Sequence, residues 1–97
     1  MNMRLTLDNL PLKLKNIIIT ESEKDDVLSA EELMDNEPLF GPNSRLGLDS
    51  LDALQISVAL KEQFGVRLQG DREVRKHMMN VADLTNYVID ELSKKTQ

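Results

Sequence analysis

Residues 47–64 read Gly47-Leu48-Asp49-Ser50-Leu51-Asp52-Ala53-Leu54-Gln55-Ile56-Ser57-Val58-Ala59-Leu60-Lys61-Glu62-Gln63-Phe64. The spacing predicts a helix from Ser50 to about Gln63, with Gly65 closing it as a C′ residue. Asp49 is the expected N-cap, because its carboxylate can accept the free N–H groups of the first turn. Helical periodicity then sorts the apolar residues into two stripes. Ala53, Ile56, Leu60 and Phe64 recur at steps of three, four and four. Leu51, Leu54 and Val58 recur at three and four on another side, roughly 150° around the helix at about 100° per residue. A small domain does not readily bury both. One stripe is expected in the core and the other toward solvent or a partner, with Ser50 at the head of the second.

The chain around this helix has 97 residues, enough for one domain with one small core. Its hydrophobic fraction of 40% is sufficient to fold, and 3% aromatics make that core aliphatic. A net charge of -5 argues against a nucleic-acid binder and suits partners with basic docking patches. No apolar run approaches a membrane span and no signal-peptide pattern opens the chain, so a cytoplasmic location is expected. There is no cysteine, hence no disulfide and no thiolate of the chain's own.

Outward from the central helix, Met1 to Leu7 read as a short lead. Asp8 is placed to cap a first helix to about Thr20, with Pro11 in its first turn and Leu10, Leu14, Ile17 and Ile18 facing inward. Lys13, Lys15 and Asn16 are expected in solvent. Glu21 to Asp49 is a long connection. Within it Ser29 and Glu32 have the spacing of a capping box, predicting a short helix from Ala30 to about Met34. Val27, Leu28, Leu33 and Leu39-Phe40 are its expected core anchors, and Pro38, Gly41 and Pro42 its turns. The run Glu21 to Asp26 is acidic but lacks the spaced oxygen ligands of a calcium loop, so no metal is expected there. Beyond Gly65, Val66 to Leu68 are extended and Gly70 turns the chain. Asp71 caps a short third helix to about Met78, with Val74 and Met78 on its apolar face. His77 is solitary and reads as a surface or partly packed residue. Asn80 caps a last helix to about Leu92, its core stripe Val81, Leu84, Val88 and Leu92, with the Tyr87 hydroxyl at the wet edge. Ser93 to Gln97 form a polar tail. The result is an all-α, four-helix bundle of three main helices and one short one, with a long loop between helices 1 and 2.

No catalytic constellation is evident. Ser50 lacks the flanking glycines of a nucleophile elbow, and no glycine-rich phosphate loop occurs. Asp49 and Asp52 beside it are ordinary residues for a helix start. Taken alone, Ser50 reads as an N-cap serine, and Leu54 and Val58 as packing against the long loop.

As a whole, however, Gly47-Leu48-Asp49-Ser50-Leu51-Asp52 resembles the attachment motif of the acyl carrier proteins. Glu37-Pro38-Leu39-Phe40-Gly41 before it and Phe64-Gly65-Val66 after it are similar to a subgroup of stand-alone, type II bacterial carriers, often specialised for one pathway. The resemblance covers roughly Leu10 to Leu92. It implies the carrier-type bundle: a single carrier domain over residues 1–97, ordered over about 8–93, acting as a monomer and not as an enzyme. It implies 4′-phosphopantetheine from coenzyme A attached to Ser50, with Asp49 and Leu51 completing the motif. Asp52, Leu54, Gln55, Val58, Lys61 and Glu62 would then form the partner surface. Gln55 and Lys61 depart from the acids usual in the family, which thins the acidic face. Ala53, Ile56 and Ala59 would line the way to an acyl pocket. The implied partners are a phosphopantetheinyl transferase and loading or processing enzymes such as ketosynthases or acyltransferases of fatty-acid, polyketide or related lipid biosynthesis. Two other readings stand beside this one. A peptidyl carrier is one, although its usual Gly-Gly-His/Asp-Ser motif is not matched. A helical interaction module without a prosthetic group, binding through Leu51, Leu54 and Val58, is the other.

Overall fold

Helix α1, Leu10–Glu21, begins with proline in its first turn, where a missing N–H breaks no intrahelical bond. The computed structural model describes residues 9–68 and 70–95, so the expected lead over Met1 to Leu7 and the Asp8 cap lie outside the described residues. Asn9 turns the chain into α1 at φ 55 without a side-chain cap bond. Leu10, Leu14, Ile17, Ile18 and Ile19 are buried. Each such side chain removed from water contributes about 1.5–3 kcal/mol. Ser22 closes the helix, its hydroxyl donating to the Ile18 carbonyl at 2.6 Å.

The connection to the second helix is structured by bonds between distant residues. One turn of 3-10 helix spans Ala30–Glu32, and the Ser29 N–H donates to Glu32 Oε1 at 3.0 Å, as the capping spacing predicts. This turn is shorter than the helix expected to reach Met34. Leu33 leaves it in extended conformation, which buries Leu33 and leaves Met34 exposed. Val27 is also exposed, contrary to its expected anchoring role. The backbone turn from Lys24 to Leu28 puts Leu28 inward in its place. Lys15 is not simply solvated either, since it pairs with Asp35 at 2.6 Å. The Leu39 N–H donates to the Met79 carbonyl at 2.9 Å, and the Ala82 N–H to the Asp35 carbonyl at 2.9 Å. Those two bonds fasten the loop to the start of the last helix.

Helix α2, Ser50–Phe64, ends at Gly65, whose φ of 69 is left-handed. The Gly65 N–H donates to the Lys61 carbonyl at 2.9 Å, satisfying a carbonyl the helix would leave unpaired. Helix α3, Gly70–His77, starts one residue ahead of the expected cap, so Asp71 is helical. Val74 is half-buried and Met78, just past the helix, is fully buried. Helix α4, Val81–Lys95, is capped by Asn80, whose Oδ1 accepts the Asp83 N–H at 2.7 Å. It runs past the expected end at Leu92, with Lys94 paired to Glu91 at 3.0 Å and Asp90 at 3.4 Å one turn back. Tyr87 lies at the partly exposed edge, as expected, and two contacts fix it there. Its hydroxyl donates to the Arg67 carbonyl at 2.5 Å, and its ring stacks on His77 with centroids 4.2 Å apart. The described residues thus form four helices and no strand beyond one backbone bridge, Phe40 to Leu48. Helix α1 packs on both α2 and α4 around one aliphatic core. This is the all-α bundle expected from the periodicity.

Candidate functional site

The head of α2 is built by two aspartates that cap one another across a serine. The Asp52 N–H donates to Asp49 Oδ1 at 3.0 Å, and the Asp49 N–H donates back to Asp52 Oδ2 at 3.1 Å. The Asp52 amide, together with other hydrogen bonds of the first turn, holds the Asp49 carboxyl below the usual carboxylate range. Ser50, the first helical residue, is therefore not the cap. It is exposed, and its hydroxyl makes no hydrogen bond among the described residues.

Upstream, Ser44 and Arg45 set the approach of the chain to this point. The Ser44 hydroxyl donates to the Leu39 carbonyl at 2.8 Å and accepts the N–H groups of Leu46 at 3.1 Å and Gly47 at 2.9 Å. The Leu48 N–H donates to the Leu39 carbonyl at 3.1 Å. The Arg45 guanidinium grips Glu37 from Nε at 2.8 Å and the Glu32 carbonyl from Nη2 at 2.8 Å. Sequence reasoning missed both residues. Hydroxyl-to-amide bonds two and three residues ahead are a local turn pattern that could have flagged Ser44. The Arg45 grip spans eight and thirteen residues and has no local signal.

Along α2 the two stripes separate as expected. Ile56 and Leu60 are 0% exposed, whereas Leu51 is 61%, Leu54 59% and Val58 46% exposed. Gln55, Lys61 and Glu62 are exposed with them, and Asp52 is half-buried. A polar depression between the end of α1 and the head of α2 joins Leu51, Asp52 and Gln55 to Thr20, Glu21 and Glu23. These two glutamates restore acid beside Gln55, which no reading of α2 alone could reveal.

On its other side Ser50 opens on a cavity of about 460 Å³, lined by Phe40, Leu48, Asp49, Ala53, Val74, Arg75 and Met79 as well as Ser50 itself. Ala53 reaches this cavity. Ile56 and Ala59, named with it from the sequence, are buried in the core and are not among its lining. His77 lies in a different, polar pocket with Tyr87, Arg67, Glu73 and Asp90. His77 is not in the lining of the cavity beside Ser50, whose charged members are Asp49 and Arg75. Among the described residues no group of three or more His, Cys, Asp or Glu is placed to hold a metal, and no helix is long and apolar enough to cross a membrane.

The family model described as "Phosphopantetheine attachment site" matches residues 26–88 of the 97. None of the curated proteins matches the chain. The matched region takes in the loop, α2, α3 and the first half of α4. It sets aside the reading of a helical module without a prosthetic group.

Proposed function

The chain belongs to the phosphopantetheine-attachment family, and on that premise we propose that it is a stand-alone acyl carrier protein modified on Ser50. The family's domain is a carrier that holds 4′-phosphopantetheine covalently. When bound, the group supplies the thiol that a chain without cysteine lacks. The observation that carries the proposal is the Ser50 hydroxyl, exposed and unbonded between two capping aspartates at the head of an exposed apolar stripe.

Each neighbour has a part. Asp49 accepts the first-turn amide of Asp52 and Asp52 accepts the amide of the cap, which fixes the turn and leaves the Ser50 hydroxyl unengaged. Asp49 is the carboxylate beside Ser50, but the Asp52 amide holds its pKa below the usual range and makes it a weak base, so the Ser50 proton is assigned to the transferase that modifies it. Leu51, Leu54 and Val58 offer an apolar contact surface, flanked by Asp52, Glu62, Glu21 and Glu23 and interrupted by Gln55 and Lys61. A partner that meets it uses an apolar patch with a basic rim. The cavity beside Ser50 is mostly apolar, which suits an acyl cargo better than a charged aminoacyl one.

Thiol titration tests the proposal. The protein as isolated from its cofactor-free form should show no thiol. After incubation with coenzyme A and a broad-specificity transferase it should show one per chain, and that thiol should accept acyl groups as thioesters. Absence of a thiol, or a thiol that loads only with aminoacyl groups, would count against an acyl carrier.

A further inference from the structure

Arg75 on α3 lines the same cavity as Ser50 and Asp49. It is exposed and makes no ion pair or hydrogen bond among the described residues. The remaining lining residues, Phe40, Leu48, Ala53, Val74 and Met79, are apolar. Asp49 and Arg75 are the charged residues of an otherwise mostly apolar lining, and no ion pair joins them. Its neighbours Arg72 and Lys76 on α3 do not line this cavity. Helix α3 itself packs mainly on α4, so little besides the loop and the cavity walls holds it to the head of α2.

We infer that Arg75 pairs with the phosphodiester formed on Ser50, and that modification thereby fastens α3 to the head of α2. This rests on the attachment reading above. A phosphodiester on Ser50 Oγ is permanently anionic and cannot move more than a few bonds from that oxygen. It would stand beside Asp49, whose carboxyl is held in its ionised form by the Asp52 amide. Two anions side by side need a cation, and the planar guanidinium fork meets two phosphate oxygens at once. The helix start adds a favourable field but has already given its Asp52 amide to Asp49. Arg75 is thus a positioning residue for the attached group.

The test compares unmodified and modified protein for wild type, Arg75→Gln and Arg75→Lys. Intact mass first confirms modification on Ser50, and circular dichroism confirms that each variant is folded. Hydrogen exchange then reads the α3 amides, and phosphorus NMR reads the phosphodiester. Modification should slow wild-type α3 exchange by about 1.5- to 5-fold at low salt, the range of an exposed ion pair. Arg75→Gln should abolish that slowing and move the phosphorus resonance, and Arg75→Lys should keep part of both. The slowing should fade in about 1 M salt, where the screening length is near 3 Å. Equal slowing in wild type and Arg75→Gln, or none in either with an unmoved resonance, overturns the pairing while leaving attachment intact. Failure of the mass to rise overturns the attachment reading and this one with it.

Discussion

Asp49 and Asp52 each donate an amide N–H to the other's carboxylate, at 3.1 Å and 3.0 Å, and Ser50 sits between them with its hydroxyl unbonded. A helix start usually spends a serine hydroxyl on its own amides. Here the aspartates do that work, so the serine is held in place by its neighbours while its hydroxyl stays free. Position and availability are separated between residues.

Ile56→Ala and Leu54→Ala should differ sharply, although both lie on α2. Ile56 is fully buried, and its truncation should cost about 2–5 kcal/mol in urea unfolding. Leu54 and Val58 are about half exposed, and their alanine variants should change stability by about 0.5 kcal/mol or less while slowing partner enzymes. A stability loss at Leu54 as large as that at Ile56 would return the second stripe to the core.

The Arg45 grip predicts a pH dependence. The hydrogen bond from Arg45 is the main cause that holds the Glu37 carboxyl below its ordinary range, with the Met34 amide adding to it. A lowered native value means the unfolded chain takes up a proton first as pH falls. The stabilisation is therefore full above the ordinary glutamate value of about 4.3 and is lost as pH falls through Glu37's own lower value. Arg45→Ala removes the cause. Unfolding midpoints measured from neutral pH to about pH 3 should show wild type ahead at neutral pH and the two proteins converging in acid. Parallel curves would separate the grip from stability.

Tyr87→Phe should lower stability by about 0.5–1.5 kcal/mol, the usual net worth of one hydrogen bond, because it removes the donor to the Arg67 carbonyl. The backbone of 66–68 should exchange faster as a result. Unchanged exchange there would mean the His77 stack alone fixes the segment.

Residues with strong local periodicity were legible in the sequence. The α2 stripes, the Asn80 and Asp49 caps, Gly65 and the Ser29–Glu32 spacing all depend on neighbours within four residues, and each stands as read. What escaped depends on long-range partners. Val27 looks like a core residue beside Leu28, but a turn decides which of the two points inward. Lys15 reads as a solvated helix residue until Asp35 arrives from the loop. The Tyr87 hydroxyl finds a carbonyl twenty residues away. At the site, Ser50 and its aspartates were visible in one hexapeptide, whereas Arg75, Glu21 and Glu23 reach it only through the fold.

Gln55 and Lys61 should help to choose the partner. Both are exposed on α2, on the surface proposed above for partner contact, where acids would attract a basic enzyme surface. Gln55→Glu with Lys61→Glu should speed acyl transfer by an enzyme that serves general fatty-acid carriers. Each exposed pair is worth about 0–1 kcal/mol, so the double variant should act more clearly than either change alone. The gain should shrink as salt shortens the screening length to about 10 Å at 0.1 M and less beyond. Equal rates for wild type and double variant at every salt would show that these positions do not discriminate.

Attachment of phosphopantetheine to Ser50 can be measured directly. Wild type and Ser50→Ala, each shown to be folded, are incubated with coenzyme A and a broad-specificity transferase, and their intact masses are measured. Because the hydroxyl carries no hydrogen bond, Ser50→Ala should unfold within about 0.5 kcal/mol of wild type. Wild type should gain the mass of one phosphopantetheine group, located by peptide mapping on Ser50, and Ser50→Ala should gain none. A folded Ser50→Ala that gains the same mass, or a wild type that gains none, would contradict the account.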